Sequence, residues 1–328
     1  MKRGAIHLIR RLTLLGKIVV VGSFVYDLIV WLPYFPRKGE TLLASEFKMY
    51  AGGKGFNQAV SARRCGTRVS MIGKVGADQF GTAFMEIMDR EDIDHSFVIQ
   101  DGSTTTSLGI PMIDPHGDNS IIGVPRANTL VTAAEVNAAK EYITQHQMLL
   151  LQLEIPLVAT LEAALIAHQA GMTVLFNPAP AAYPLSNLLP SDDLGEPMID
   201  WFMPNEVEAE MLSGMPVKNI NDAINCGKYI LSQGVRRGVV ITMGSNGVVV
   251  VTPEDQYHIL SFPVTPVDPT GAGDAFCGSF AAALSEGKSV EQALRFANAA
   301  GALAVTIAGA EPSLPTRSKI EVFLNHHI

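Results

Sequence analysis

The chain has 328 residues and a formal net charge of -8, with acidic and basic residues interspersed along it. That length is sufficient for a large buried core, which a single domain can hold. The basic patch typical of a nucleic-acid-binding protein is not visible, which argues against such a partner.

The cysteines indicate a reducing compartment. Cys65, Cys226 and Cys277 lie far apart and are odd in number. They therefore form neither a metal-ligand spacing nor a disulfide framework. Such cysteine usage is typical of a reducing cytoplasm, and we expect a cytoplasmic location.

The first 16 residues mix basic with apolar side chains. Arg10 and Arg11 interrupt the apolar run, so it is too short for the core of a signal peptide. No continuous apolar run of the chain approaches the length of a membrane span. We predict an N-terminal extension outside the fold over residues 1–16, with an amphipathic surface helix as the alternative.

From residue 17 onward, strand and helix patterns alternate. Strands are predicted at 17–22, 69–72, 148–153, 172–176, 199–203 and 238–242, and a hairpin at 247–251 and 256–260. Helices are predicted at 56–64, 80–90, 156–169, 206–212, 221–232, 274–286 and 290–306. This alternation predicts an α/β layered domain with a mostly parallel sheet.

Two regions interrupt the alternation. Residues 27–50 hold extended segments with little helix signal. Residues 105–113 and 118–123 flank a Pro-His-Gly-Asp turn, which predicts a hairpin. Both regions are expected to form extended structure that departs from the alternating pattern.

A glycine-rich segment, YAGGKGFNQ, occupies residues 50–58 and leads into a predicted helix. Its glycines, including Gly53, let a ligand approach the backbone closely. Lys54 adds a mobile positive charge, and Asn57 offers a donor and an acceptor suited to a polyol hydroxyl. The alternative is an ordinary strand-to-helix turn, with Lys54 solvated and Asn57 as a helix cap.

A second motif, DPTGAGD, occupies residues 268–274 and precedes an apolar helix. The free amides of a helix start, here those of Gly271, Ala272 and Gly273, form a site for phosphate or a developing oxyanion. Asp274 in the first turn is then a candidate general base. An anion site beside a base is what phosphoryl transfer to a hydroxyl requires. The alternative for Asp274 is a capping or dipole-compensating role.

Two other phosphate-binding motifs are missing from the sequence. There is no G-x-x-x-x-G-K-[ST], so a P-loop NTPase is excluded. The first predicted strand opens into GSFVYD at 22–27 rather than G-x-G-x-x-G. A dinucleotide-binding dehydrogenase is therefore a poor interpretation.

Together, GGKGFNQA at 52–59 and DPTGAGD at 268–274 resemble the two signatures of the ribokinase-like (PfkB-type) carbohydrate kinases. QLEIP at 152–156, NPAP at 177–180 and NEVEAE at 205–210 resemble family segments in the same order. The resemblance covers about residues 17–325 and implies one kinase domain with a three-layer α/β/α fold. It also implies a mostly parallel central sheet and a small β-sheet lid near 27–50 and 105–124. Such a lid would exclude water and suppress ATP hydrolysis.

The resemblance further implies the ligands and the residues that hold them. Sugar contacts are implied for Asp27, Gly53, Lys54, Asn57 and Glu154. ATP contacts are implied for Asn205, Thr242, Gly244 and Asn298. Glu208 is implied to hold Mg²⁺ mainly through water, and a K⁺ site is implied at Asp268, Thr270, Ala304, Ile307, Gly309 and Ser313.

Ordinary structural roles are alternatives for several of these residues. Asp27 and Glu154 can each be a cap or a surface charge. Asn205 can be a helix N-cap, with Glu208 compensating the helix dipole.

Two positions depart from the family pattern. Ribokinases usually carry Asn in G-S-x-N-x-D, and Val25 stands at that position here. The usual G-A-N after the lid hairpin is Arg126-Ala-Asn128. Because a branched apolar side chain replaces a hydrogen-bonding amide, a nucleoside, another pentose or a ketohexose is an alternative to ribose.

These features predict ATP-dependent phosphorylation of a sugar hydroxymethyl group, with ribose or a related pentose or ketose as the favoured acceptor. A nucleoside kinase of the same fold and a non-catalytic sugar- or nucleotide-binding regulator are the alternatives.

The lid region also predicts the assembly. Leu28, Ile29, Val30, Trp31 and Leu32 form an apolar run, and the unpaired edges of a small sheet favour pairing. Together with the resemblance, these features predict a two-fold homodimer joined through the lid.

Overall fold

A computed structural model of the protein describes residues 17–327. The N-terminal extension predicted for residues 1–16 lies outside this range. Within it, the strands are β1 (Lys17–Val21), β2 (Val25–Trp31), β3 (Glu46–Gly52), β4 (Arg68–Gly76), β5 (Asp94–Asp101), β6 (Leu108–Ile113), β7 (Asn119–Val124), β8 (Met148–Leu151), β9 (Thr173–Phe176), β10 (Ile199–Phe202), β11 (Val235–Thr242), β12 (Val248–Val251) and β13 (Gln256–Ile259).

The larger sheet has nine strands in the order β13-β12-β11-β10-β9-β8-β1-β4-β5. Neighbouring strands from β11 to β5 are parallel. At the other end, β11, β12 and β13 are antiparallel, which confirms the predicted hairpin. The mostly parallel central sheet is thus confirmed.

The helices over the described residues are α1 (Lys54–Arg64), α2 (Gln79–Arg90), α3 (Ala133–Ala138), α4 (Lys140–Ile143), α5 (Leu157–Gln169), α6 (Leu185–Leu188), α7 (Glu206–Ser213), α8 (Ile220–Ser232), α9 (Ala272–Ser285), α10 (Val290–Ala304) and α11 (Arg317–Asn325). In residues 17–327, no helix is long and apolar enough to cross a membrane.

Helices cover both faces of the larger sheet because alternate residues of its strands enter two different apolar cores. In β1, Ile18 and Val20 lie in one core and Val19 and Val21 in the other. The first core includes residues of α9 and α10, and the second includes residues of α5 and α8. Two cores separated by one sheet make the three layers that the resemblance implied.

The predicted strands and helices are confirmed, with differences of a few residues at their ends. Strand β5 was not predicted because it is an edge strand whose side chains are mostly exposed. It therefore has no continuous apolar run. The helix α4, with four residues, is too short to show a helical period, and α3 and α6 are also short.

The smaller sheet has the strand order β3-β2-β6-β7 and is called the lid below. It forms from the two regions predicted to be extended. The apolar run at 28–32, however, is half-buried or buried rather than exposed, because β2 is an inner strand of the lid. The exposed apolar side chains of the lid lie on β3 and β7 and are Phe47, Met49, Ile121 and Ile122.

Candidate active site

The predicted site residues meet at the carboxyl ends of the parallel strands. Glu154 follows β8, and Asn205 follows β10. The starts of α1 and α9 reach the same place, since Asn57 of α1 donates a hydrogen bond to Asp274 of α9. Ligands of open α/β sheets bind in this crevice beyond the strand ends. Segments far apart in sequence therefore form one site.

Asp274 lies at the centre of this site and is only 7% exposed. Its helix begins after Gly271, whose φ of 79° is a left-handed conformation that favours glycine. Asn57 Nδ2 and Gln58 Nε2 donate to its carboxylate at 2.9 and 3.0 Å. Burial raises the pKa of Asp274, while Lys54 and the two amides oppose the rise. The carboxylate is thus fixed and desolvated, as suits a general base.

Gln58 is a site residue that the sequence analysis missed. Its Nε2 also lies 3.1 Å from Asn177 Oδ1, and its Oε1 accepts a hydrogen bond from Gln152 Nε2 at 2.6 Å. This chain of amides fixes the orientation of the carboxamide that contacts Asp274. The feature of the sequence that could have identified Gln58 is its position directly after Asn57 in the glycine-rich segment.

The glycine-rich segment is more than a strand-to-helix turn. Gly53, with a φ of 92°, is the N-cap of α1, so Asn57 is not a helix cap. Lys54 lines a cavity of about 200 Å³ together with Asp274, rather than extending into solvent. Burial lowers the pKa of Lys54, but neighbouring carboxylates, above all Asp274, outweigh burial and leave the pKa raised. Lys54 therefore holds its charge inside the site.

The start of α9 presents backbone amides to the same cavity. Gly271 and Gly273 both line it, and neither amide donates to an acceptor within residues 17–327. The amide of Ala272 donates instead to the carbonyl of Pro269 at 3.2 Å. Of the three amides predicted for the anion site, the one of Ala272 is thus already engaged in the turn that starts the helix.

Two glycines leave space for the carboxylate of Asp27 in the lid. A Cβ atom added to Gly109 would lie 2.2 Å from Asp27 Oδ1, and one added to Gly52 would lie 2.8 Å from Oδ2. Burial, and then the charge of Glu154, raise the pKa of Asp27 to about 6. No hydrogen bond from residues 17–327 offsets this rise. The carboxylate is therefore neither a cap nor an ordinary surface charge, and it is available to a ligand hydroxyl.

Glu154 combines a structural role with an open oxygen. Its Oε2 accepts hydrogen bonds from Ser23 Oγ at 2.6 Å and from the backbone amide of Lys54, the first residue of α1, at 2.8 Å. The alternative interpretation of Glu154 as a cap is thus correct for Oε2. The helix that Oε2 caps is α1, which is distant in sequence. Within the described chain, Oε1 has no hydrogen-bond partner and is left for a ligand.

A larger cavity of about 750 Å³ adjoins the first one. All four residues predicted for ATP line it, namely Asn205, Thr242, Gly244 and Asn298. Much of the remaining lining is apolar and includes Phe262, Val264, Phe276, Ala302 and Val305. The two cavities share Gly273 at the start of α9. The helix-start amides therefore lie between a space of ligand size and Asp274.

Asn205 and Glu208 form a capping box at the start of α7. Asn205 Oδ1 accepts from the amide of Glu208 at 2.8 Å, and Glu208 Oε2 accepts from the amide of Asn205 at 2.9 Å. The N-cap interpretation is thus correct. Glu208 nevertheless lines the smaller cavity, and burial raises the pKa of its carboxyl. Residues 17–327 contain no cluster of three metal-ligating side chains, but Mg²⁺ held mainly through water needs none.

Asp268 joins the two loops that were predicted to hold K⁺. Its Oδ1 accepts from the amide of Thr270 at 2.9 Å and its Oδ2 from the amide of Gly309 at 2.8 Å. Ser313 Oγ donates to the carbonyl of Ala310 at 2.7 Å. Ala304 ends α10, and Ile307 follows it closely. The loops thus lie side by side, next to the start of α9.

A fixed carboxylate beside open helix-start amides, with a large cavity on the other side of them, is the arrangement of a kinase for small polar molecules. The model of the pfkB family carbohydrate kinases matches residues 15–317. The chain belongs to this family.

Similar proteins cover almost the whole chain. The ribokinases of Bacillus subtilis and Haemophilus influenzae are 38% and 37% identical, over 94% of this chain and 99% and 98% of their own lengths. The deoxyribokinase of Salmonella typhi is 33% identical, over 94% of this chain and 98% of its own. The solved structure of Arabidopsis thaliana ribokinase complexed with ribose and ATP has a TM-score of 0.86 at 31% identity, over 94% of this chain and 98% of that one.

Proposed function

We propose that the protein transfers the γ-phosphate of ATP to the hydroxymethyl group of a pentose, giving a pentose phosphate and ADP. The observation that carries this proposal is the position of Asp274, buried beside the free amides of Gly271 and Gly273 where two cavities meet. The similar ribokinases, and the neighbour complexed with ribose and ATP, support the same reaction. The similar deoxyribokinase leaves open which pentose is used.

In this reaction Asp274 accepts the proton of the hydroxymethyl group. The oxygen attacks the γ-phosphorus, and the bond from that phosphorus to the oxygen of ADP breaks. The amides of Gly271 and Gly273, with the charge of Lys54 in the same cavity, stabilise the negative charge of the transferring phosphoryl group. ATP would occupy the larger cavity, against Asn205, Thr242, Gly244 and Asn298.

The sugar would lie between the lid and the start of α1. Asp27 offers a carboxylate without a donor, and Glu154 offers its open Oε1. Asn57 Oδ1 is buried and has no hydrogen-bond partner in the described chain. Because a buried acceptor without a partner is costly, these oxygens suit the hydroxyl donors of a sugar. Gly53 would let the sugar approach the backbone.

The proposal includes two cations. Mg²⁺ would neutralise phosphate charge, and Glu208 would hold it mainly through water. K⁺ would bind beside the loops that Asp268 joins and would order the start of α9. Replacing K⁺ with Na⁺ or a bulky organic cation at constant ionic strength should lower the rate. Equal rates in all three salts would rule out the K⁺ site.

The proposed assembly is a homodimer through the lid, in the cytoplasm. Among the exposed apolar side chains of β3 and β7, Phe47 and Ile121 are each 63% exposed. A surface of this kind on an edge strand favours pairing with a second copy.

A coupled ADP-release assay over pentoses, ketohexoses and nucleosides tests the proposed function. We expect pentose-dependent ADP release, with the highest kcat/KM for a pentose. Release with nucleosides alone would show that the protein is a nucleoside kinase. Sugar or ATP binding by calorimetry without any ADP release would instead support the non-catalytic regulator.

A further inference from the structure

We infer that Arg64 is a positioning residue for phosphoryl transfer, because it holds the turn that packs against the open amide of Gly271. This turn spans residues 310–314 and includes the 3₁₀ helix Glu311–Ser313. Arg64 is the last residue of α1 and lines neither cavity. The inference rests on the proposed function, in which the Gly271 amide stabilises the transferring phosphoryl group.

The guanidinium of Arg64 binds the 310–314 turn mainly through its backbone. Nη1 donates to the carbonyl of Glu311 at 2.7 Å and to the carbonyl of Leu314 at 3.0 Å. Nη2 also donates to the carboxylate of Glu311. Because a guanidinium presents its donors in a rigid planar fork, these bonds fix both the place and the orientation of the turn.

The same turn packs against Gly271. A Cβ atom added to Gly271 would lie 3.2 Å from Ala310 Cα, 3.4 Å from the Ala310 carbonyl oxygen and 3.5 Å from Ser313 Oγ. Ser313 Oγ donates to that carbonyl at 2.7 Å, which closes the turn. The turn therefore contacts both Arg64 and Gly271, and a displaced turn would displace Gly271 too.

The helix α9 alone does not fix the amide of Gly271. Gly271 is the N-cap of α9, and its carbonyl accepts from the amide of Ala275 at 2.7 Å. Its own amide belongs to the preceding peptide unit, outside the helix, and has no acceptor within residues 17–327. The direction of this N–H group therefore depends on the packing around Gly271, to which the 310–314 turn contributes.

Arg64 also has a partner that does not belong to the turn. Nη2 donates to Glu91 Oε1 at 2.7 Å and Nε to Glu91 Oε2 at 3.2 Å, and Glu91 is the C-cap of α2. Both side chains are 15% exposed, so water screens this ion pair only in part. The ion pair stabilises Arg64 without contacting the turn. The stabilising and positioning contacts of Arg64 can therefore be altered separately.

The expected effect of losing Arg64 is on the transfer step rather than on sugar binding. A misplacement of about 1 Å by a distant mutation can cost about 10²-fold in rate. We expect loss of the guanidinium to lower kcat by about 10- to 100-fold, with the sugar KM within about threefold of the wild type. Binding of the γ-phosphate should weaken, whereas ADP, which lacks that phosphate, should bind as before.

The experiment compares Arg64→Met, Arg64→Lys and Glu91→Gln with the wild type. Arg64→Met keeps the aliphatic stem of the side chain and removes its donors. Arg64→Lys keeps the charge but not the fork, so it guards against misfolding of the Met variant. Glu91→Gln removes the charge of the ion pair but leaves an acceptor for Arg64 and its bonds to the turn. The matched control is Arg63→Ala, since Arg63 also ends α1 but pairs with Asp92 at 2.6 Å rather than with the turn.

Four quantities are measured for each protein. They are kcat and KM with the best pentose of the panel, the Tm, and the Kd of two nucleotides by calorimetry. The nucleotides are ADP and AMP-PNP, a non-hydrolysable analogue of ATP that keeps a γ-phosphate. The ratio of the AMP-PNP Kd to the ADP Kd isolates the contribution of the γ-phosphate, which a general loss of stability would not change.

In both Arg64 variants, kcat should fall by about tenfold or more and the Kd ratio should rise by a similar factor. Glu91→Gln and Arg63→Ala should keep the wild-type kcat and Kd ratio, whatever their effect on the Tm. A wild-type kcat or an unchanged Kd ratio in both Arg64 variants would overturn the inference. An equal loss of kcat in Glu91→Gln or Arg63→Ala would overturn it as well. Failure of the wild type to release ADP with any pentose would contradict the proposed function, and the Kd ratio tests the inference in either case.

Discussion

The carboxylate of Asp274 is the residue on which the proposed chemistry depends. Asp274→Asn keeps the shape of the side chain and the helix start but removes the proton acceptor. We expect kcat to fall by about 10²–10⁴-fold, the usual effect of losing a general base. Sugar and ATP binding, measured by calorimetry, should change by no more than a few fold. Asp89→Asn, on the surface, is the matched control. Turnover of Asp274→Asn within about threefold of the wild type would show that Asp274 is not the base.

Asp27 predicts a pH dependence of sugar binding. Its pKa is raised from 3.8 to about 6, so in the free protein the carboxyl becomes charged only as the pH rises through about 6. A charged carboxylate is the stronger acceptor for a sugar hydroxyl. The KM for the sugar should therefore fall as the pH rises through about 6 and then level off. A flat KM between about pH 5 and pH 8 would contradict this role.

The raised pKa of Asp27 also predicts a pH dependence of stability. Stability should fall over the pH range in which sugar binding becomes stronger. Between about pH 4 and pH 6, the folded state binds more protons at Asp27 than the unfolded state, because its folded pKa is the higher one. The contribution of Asp27 to stability therefore falls as the pH rises through this range and stays unfavourable above it. Asp27→Asn should raise the Tm near neutral pH while it weakens sugar binding. A lower Tm for the variant would indicate that Asp27 stabilises the fold.

The site could be predicted from the sequence where glycine-rich motifs mark it. Lys54, Asn57 and Asp274 were identified because their motifs combine backbone freedom with charge. Gln58 was missed because its role depends on a hydrogen bond to a residue far away in the sequence. A cap was an alternative for Glu154, but that it caps α1 could not be predicted, for the same reason.

At the scale of elements, the lid depends on Gly109 of β6. Gly109→Ala would bring a Cβ atom to within 2.2 Å of Asp27 Oδ1, so the carboxylate must move. We expect the KM for the sugar to rise about tenfold or more, in line with the loss of one charge-assisted hydrogen bond, with a smaller change in kcat.

Gly123 provides a matched control for this change. It pairs with Gly109 across β6 and β7, and a Cβ atom there would meet nothing within 4 Å. Gly123→Ala should therefore leave the sugar KM unchanged. If the two alanine variants have the same KM, the space beside Asp27 does not matter for sugar binding.

Strands that are buried on both faces could be predicted from the sequence. An exposed edge strand, and the pairing of strands that are distant in the sequence, could not. The continuous apolar run of β1 is typical of an inner parallel strand. The mostly exposed side chains of β5 carry no comparable signal. The parallel pairing of β2 with β6 was likewise not readable, because strands distant in the sequence are brought together by the tertiary fold.

At the scale of the whole molecule, the exposed apolar side chains of the lid predict the proposed dimer. Light scattering at micromolar concentration should give the mass of a dimer for the wild type. Ile121→Glu replaces an exposed apolar side chain of β7 with a charged one and should shift the protein toward monomer. Val158→Glu, on an equally exposed valine of α5 (67%), is the control and should stay dimeric. A wild-type monomer would contradict the dimer, and an unchanged Ile121→Glu dimer would place the interface elsewhere.

The central claim is that this carbohydrate kinase phosphorylates the hydroxymethyl group of a pentose with Asp274 as the base. It is tested most directly by phosphorus and proton NMR of the product formed from ATP and the best pentose of the panel. We predict one new phosphate ester whose phosphorus couples to the two protons of the hydroxymethyl carbon, and its rate of formation should fall with Asp274→Asn. A phosphate on a ring hydroxyl, or the release of inorganic phosphate without any sugar phosphate, would contradict the account.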